Sequence, residues 1–264
     1  MDRSGDPDGR PADESAAPTP AAAIDPATAL ELLRDGELEV VGRLVASTNF
    51  AMYCTITRVC PDPEPDLVAT CVYKPVRGER PLDDFPDGTL GRREVAAHTV
   101  SEATGWGIVP PTVFREGPYG EGMVQLWIDV DEGIDPWELV QRSDPALRSM
   151  ALFDAVVNNT DRKVGHILPA GDHLYGVDHG ICFSDEPKLR TVLWGWRGKR
   201  LHAEEIGVLE RLRDDLAGPL GRELRRLLAP REVRATAARV DALLETGRFP
   251  RPDPDRPAIP WPPF

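Results

Sequence analysis

Residues 158–166 read Asn158-Asn159-Thr160-Asp161-Arg162-Lys163-Val164-Gly165-His166, and shortly after them comes Val177-Asp178-His179-Gly180. These two stretches decide the fold. The first follows directly on an apolar run (Leu147, Met150, Ala151, Phe153, Val156, Val157) with the spacing of a buried helix, opened by the capping pair Asp144-Pro145. The second follows a short strand from His173 to Val177. Two acids on loops at the ends of buried elements suggest metal and phosphate chemistry. Taken alone, Asn-Asn-Thr-Asp-Arg reads equally well as a polar turn closing a helix, so the surrounding order must decide.

Upstream the pattern is mostly strand-like. Leu38–Ala46, Ala51–Val59, Leu67–Tyr73 and Met123–Ile128 are rich in Val, Ile, Thr and Tyr and bounded by turn residues. A short helix opens at Asp25-Pro26 and stops at Gly36, and a second runs from Gly91 to Thr104, ended by Gly105. Downstream the period is helical over Ala203–Leu216, Leu220–Leu228 and Arg231–Leu244, with Leu209, Leu212 and Leu216 on one stripe and Val233, Ala237, Val240 and Leu244 on another. A sheet with one helix, followed by a helical half, predicts an α+β chain of two lobes. The lobes are expected over residues 25–126 and 127–247, with a hinge near Trp127 to Gly133 and a ligand cleft between them. Residues 1–24 read as a disordered tail. The proline-rich stretch 248–264 reads as an extended tail pinned by Trp261 and Phe264.

Composition excludes several classes. The chain has 264 residues, 41% of them hydrophobic, enough for a sizeable core. No apolar run approaches the length of a membrane span, and the start lacks the apolar stretch of a secretory signal. Cys54, Cys60, Cys71 and Cys182 show no C-x-x-C spacing, so zinc or a disulfide scaffold is not expected; the thiols read as reduced and the protein as cytoplasmic. A net charge of −13 argues against a nucleic-acid partner.

Lys74 ends the third strand on the face of Val72 and Thr70, and Glu94 falls in the lone helix of the sheet half. Each reads alone as an ordinary surface charge. A Lys reaching into a cleft needs a carboxylate to hold it, and Glu94 is the candidate. The turn Ala46-Ser47-Thr48-Asn49-Phe50 is not glycine-rich, hence no Walker loop. Its hydroxyls and backbone N–H groups suit a phosphate.

The order — hairpin with a small polar turn, strand Lys, helix Glu, apolar strand and hinge, N-x-D-R loop, D-x-G — resembles the kinase fold. More narrowly it is similar to the phosphatidylinositol 3-/4-kinase superfamily and its bacterial relatives, among them the HipA-like kinases, over about residues 38 to 185. The resemblance implies an ATP-dependent phosphotransferase using Mg²⁺ or Mn²⁺, with a nucleotide and a hydroxyl acceptor as partners. It makes Asp161 the catalytic acid and Asp178 a metal ligand. It sets Lys74 on the α/β-phosphates with Glu94 as its ion-pair partner, and puts Gln125 and Trp127 on the strand leading to the adenine-binding hinge. Ser47, Thr48 and Asn49 would cap phosphate. Arg162 follows the catalytic acid, either bracing the loop or lying on the surface.

One position departs from the pattern. The second metal ligand, Asn in that family, falls on His166. Imidazole suits transition metals better than magnesium, so three readings stay open at this residue: a metal ligand, a phosphate contact, or a site that keeps nucleotide binding without turnover. His179 beside Asp178 adds a different alternative, a transition-metal hydrolase built on His166, Asp178 and His179. For the acceptor, Lys188, Arg190, Arg197, Lys199 and Arg200, interleaved with Trp194 and Trp196, read either as a patch for an anionic substrate or as a solvated face.

Overall fold

The structure, a computed structural model, describes residues 24–44, 49–61, 64–131 and 133–264. Helix α1 (Pro26–Asp35) begins where Asp25 accepts the N–H of Thr28 and Pro26 takes the first turn, which needs no donor. It buries Ala29, Leu32 and Leu33 against one face of a five-stranded antiparallel sheet. The strands are β1 (Glu37–Arg43), β2 (Met52–Arg58), β3 (Leu67–Pro75), β4 (Thr112–Gly117) and β5 (Gly120–Leu126), in the order β1-β2-β3-β5-β4. Strict alternation in β3 sends Ala69, Cys71 and Tyr73 into the core with α1, and turns Thr70, Val72 and Lys74 to the opposite face. Tyr53, Gln125 and Met123 stand in register with Val72 and Lys74 on that second face.

Helix α2 (Leu90–Thr104) lies beside that face, with Gly91 close to Met123 and Phe114, and ends at Gly105, whose φ of +71° suits glycine. Its Ala96, Ala97 and Val100 belong to the core of the helical half, built on α4 (Pro145–Val157), α5 (Ala203–Ala217), α6 (Pro219–Leu227) and α7 (Pro230–Thr246). The helix expected to belong to the sheet lobe is therefore packed on both halves. Two short strands, β6 (Ile167–Ala170) and β7 (His173–Gly176), form a hairpin between the two sequence stretches quoted at the outset, and a five-residue helix α3 (Pro136–Val140) precedes α4.

Sequence reading finds α1, α2, α4 and the last three helices to within a residue or two. It misses β4, β6 and α3, each short and without clean alternation. Two tail expectations need correction. Ile24, assigned to the disordered tail, is buried in the sheet core. The C-terminal tail is extended, but Trp261 does not pin it, being 90% exposed. Its anchors are the buried Phe249 ring, whose backbone bonds Lys199 and Gly198, and the carbonyls of Ala258 and Pro263, which accept the N–H groups of Thr191 and Val164. Phe264 stacks on Trp137 in the open. Among the described residues no helix is long and apolar enough to cross a membrane, and all four cysteines are free thiols.

Candidate active site

Strand β3 carries Lys74 to the sheet face that meets the helical half, and there its ammonium bonds two carboxylates. Nζ is 2.8 Å from Glu94 Oε1 of α2 and 2.9 Å from Asp178 Oδ1, on the loop after β7. Glu94 is only 2% exposed. Its second oxygen accepts the backbone N–H of His179 at 2.9 Å, which ties the Asp178 loop to α2 independently of the lysine. Opposite charges within 3 Å favour both ionised forms: the two carboxylates raise the Lys74 pKa against the opposing effect of burial, and Lys74 holds the Asp178 carboxyl well below the usual range. Asp178 has a left-handed backbone, φ +62°, uncommon for a side chain of any size and typical of functional loops.

Asp161 lies on the loop leaving α4. Asn158 closes that helix in the left-handed conformation, φ 52°, and Asn159 Oδ1 accepts the Asp161 N–H. Burial raises the Asp161 pKa, Lys163 at 3.2 Å opposes this, and the Asp178 charge adds to the rise. Arg162 has no exposure at all. It binds Asp154 of α4 through Nε and Nη2 and donates Nη1 to the carbonyls of His166 and Val177. Its Nη2 also lies 2.6 Å from His179 Nε2. Because a guanidinium only donates, His179 Nε2 is an acceptor and the ring is neutral; burial, then Arg162, depress its pKa. Arg162 thus joins α4, the Asp161 loop and the Asp178 loop. Full burial excludes the surface reading of Arg162 and leaves the reading in which it braces the loop. Gly176 makes room for it, since a Cβ there would lie 3.0 Å from Nη2.

His166 Nε2 is 3.5 Å from Asp178 Oδ2. Burial pushes this imidazole down to about 4, against the pull of Asp178, so at neutral pH the contact is not an ion pair. Its Nδ1 is buried without a partner, as is His179 Nδ1. Among the described residues no three His, Cys, Asp or Glu side chains are grouped to hold a metal. His166, Asp178 and His179 do not form the transition-metal set of the hydrolase alternative, because His179 Nε2 is taken by Arg162.

Other expected ligand residues stand as follows. Ser47 and Thr48 lie outside the described residues. Asn49 Oδ1 accepts the N–H of Arg80, so this amide oxygen is spent on the loop after β3. Gln125 is buried on the sheet face that carries Lys74, its amide donating to Thr112 Oγ1. The Trp127 N–H is committed to Thr70 O, and its ring meets Tyr53 edge to face, centroids 5.0 Å apart. Of the basic stretch, Trp196 is buried, Lys188 is paired with Asp84 and Glu186, and Arg197 bonds the Trp194 carbonyl.

Sequence reasoning missed three supports of this site. Asp154 neutralises Arg162. Glu79 accepts the N–H groups of Leu90 and Gly91, capping α2 from outside. Arg93, one residue before Glu94, is buried and bonds Glu232 of α7 and the Cys182 carbonyl. A signal existed for Asp154, a lone acid inside the apolar run Leu152-Phe153-Asp154-Ala155-Val156; none existed for the Arg93–Glu232 pairing, which spans 139 residues.

Comparison with solved structures places this arrangement in the kinase-like fold. The chain superposes on a Golgi casein kinase with a TM-score of 0.52 at 15% identity, over 84% of this chain and 74% of the other. A hydra Fam20 solved with sugar gives 0.51 at 13%, over 83% and 87%. These likenesses support a kinase-like fold without favouring the phosphatidylinositol 3-/4-kinase branch. No family model matches the sequence. The chain is 40% identical over 269 residues to Protein Rv2133c of Mycobacterium tuberculosis, covering 88% of this chain and 94% of that protein, and it belongs to the same family.

Proposed function

We propose that this chain is an ATP-dependent phosphotransferase that passes a γ-phosphate to a hydroxyl acceptor, a cytoplasmic member of the bacterial branch related to phosphatidylinositol 3-/4-kinases. The observation that carries the reading is the Lys74 ammonium held between Glu94 and Asp178, with Asp161 on the adjoining loop. Phosphoryl transfer needs little covalent help; positioning and charge neutralisation supply most of the rate. Lys74 neutralises the α/β-phosphates. Asp161 orients the acceptor hydroxyl and takes its proton, and Lys163, ion-paired to it, balances charge near the transferred group.

Magnesium binds through one or two carboxylates and substrate phosphates rather than a full protein cage, so a single Asp178 suffices without a preformed cluster. Asp178 fits that role, with the neutral His166 beside it better suited to manganese. The bound ion would neutralise phosphate charge. The orphaned Nδ1 of His166 leaves this residue unexplained by protein contacts alone, which favours a role toward a ligand.

The test uses purified full-length protein with γ-labelled ATP and Mg²⁺ or Mn²⁺. Asp161→Asn lowers turnover by a factor on the order of 10²–10⁴ while ATP still raises the melting temperature. Asp178→Asn lowers both. Equal turnover in all three proteins overturns the assignment. ATP-induced stabilisation without any turnover supports the second reading, a nucleotide-binding module that the unusual His166 favours.

A further inference from the structure

Between α7, the segment that follows the Asp178 loop and the proline-rich tail lies a half-open cavity of about 690 Å³, a volume typical of small-molecule pockets. It shares no residue with the Lys74–Glu94–Asp178 cluster. Ala235, Ala238, Ala242 and Leu243 of α7 form one wall, and Phe249 with Pro250 faces them. The spacing of the walls is set elsewhere: Phe249 is bonded to Lys199 and Gly198, and the Ala258 carbonyl accepts both the Thr191 N–H and the Trp194 indole. Alanine methyl groups do not fill the gap that these anchors hold open.

The lining is mainly apolar, yet its charge reverses that of the chain. Lys188, Arg190, Arg239, Arg248, Arg251 and Arg256 border the cavity against Asp185 and Asp253, in a protein of net charge −13. Four of these cations are spent within the protein: Arg239 on Val156 O and Ser184 O, Lys188 on Asp84 and Glu186, Arg248 on Gly198 O, and Arg256 on Pro187 O. The guanidinium groups of Arg190 and Arg251 have no hydrogen-bond or ion-pair partner among the described residues, although the Arg190 charge also bears on Asp161 and lowers its pKa. The Arg251 guanidinium lies close to Gly198, where a Cβ would come within 2.7 Å of its Cζ. An apolar wall, a half-open volume and two lining cations without a bonded partner suit a ligand with an apolar body and an anionic head.

We propose that this cavity binds a small amphipathic anion, its apolar part against α7 and Phe249 and its acidic head at Arg190 and Arg251. Carboxylate and phosphate heads share this chemistry.

The experiment is a fluorescence titration of the full chain with 8-anilinonaphthalene-1-sulfonate, beside its neutral counterpart N-phenyl-1-naphthylamine. The sulfonate is expected to bind one saturable site about tenfold tighter than the neutral dye. Arg251→Ala should bring the two dyes level. Ala238→Trp, which places an indole in the void from an exposed position and leaves the core intact, should abolish binding of both while circular dichroism and melting temperature stay at parental values. Saturating ATP with Mg²⁺ should leave the sulfonate bound. Decanoate or decyl phosphate should displace it, and the better competitor identifies the head group. Unchanged sulfonate binding in folded Ala238→Trp, displacement by ATP, equal affinity for both dyes in the parent, or no displacement by either decyl compound overturns the proposal. Its failure leaves the phosphotransferase reading untouched, since the nucleotide site is tested by other residues.

Discussion

Arg162 shows how a single buried residue can tie a helix and two loops together. Its guanidinium is fully buried, bidentate on Asp154 and bonded to two carbonyls of the loops that bear Asp161 and Asp178. A buried charge pair of this kind is costly to break, because removing one partner strands the other in low dielectric. Arg162→Ala is therefore expected to destabilise the protein by about 3–5 kcal/mol, read as a lowered urea midpoint, and an exposed control such as Arg213→Ala by less than about 0.5 kcal/mol. An Arg162→Ala midpoint equal to the parent's would remove the bracing role. Sequence named Arg162 and left its place open between loop brace and surface; burial decided it.

Among the elements, α2 is the one on which the site turns. It carries Glu94 toward the sheet and Arg93 toward the helices, where Arg93 meets Glu232 and the Cys182 carbonyl and lies over the Phe85 ring. Glu232 also accepts the Ala229 N–H, capping α7. Neighbouring residues on one helix thus fasten Lys74 and α7 to the same rigid body. Glu232→Ala is expected to cost about 3 kcal/mol by stranding Arg93, and to weaken ATP-induced stabilisation, because Glu94 loses its fixed mount. A variant that melts lower but binds ATP with parental affinity would show the pairing to be structural only. The helix itself was legible from its spacing and its Gly105 stop. Its orientation was not, since Arg93, Glu94 and His98 are all polar letters in sequence and all buried in the fold.

For the molecule as a whole, buried histidines set the acid limit of stability. His98 and His166 are pushed down to about 4 by burial, and His179 is lowered by burial and Arg162. Their unfolded values are near 6.5. Between these limits the unfolded chain takes up protons that the folded chain refuses, so stability rises with pH from about 4 to 6.5 and falls as the medium is acidified through that window. Each group contributes a slope of up to about 1.4 kcal/mol per pH unit. Urea unfolding at pH 5.5 should thus give a smaller free energy than at pH 7.5, and His98→Asn should narrow the difference. Asp178, with its depressed pKa, adds a further loss only at lower pH, below the ordinary carboxylate value. Equal stability at both pH values would contradict the burial of neutral imidazoles.

Read by itself, the chain determined the two-part α+β organisation and the ends of the main helices; its resemblance to a kinase superfamily then singled out Lys74, Glu94, Asp161, Arg162, His166 and Asp178. The elements follow from local physics, since capping, period and turn chemistry act over a few residues, whereas the six residues follow only from the order of motifs that the resemblance matches. Only the tertiary structure decided which of them meet. It brought Lys74 between Glu94 and Asp178, sank Arg162 and His179, spent Gln125 on a neighbour, and opened a cationic cavity beneath the tail. The reason is range: a contact between residues dozens of positions apart is set by how whole elements pack, and a charged residue's identity does not say whether packing will leave it in water or give it a partner.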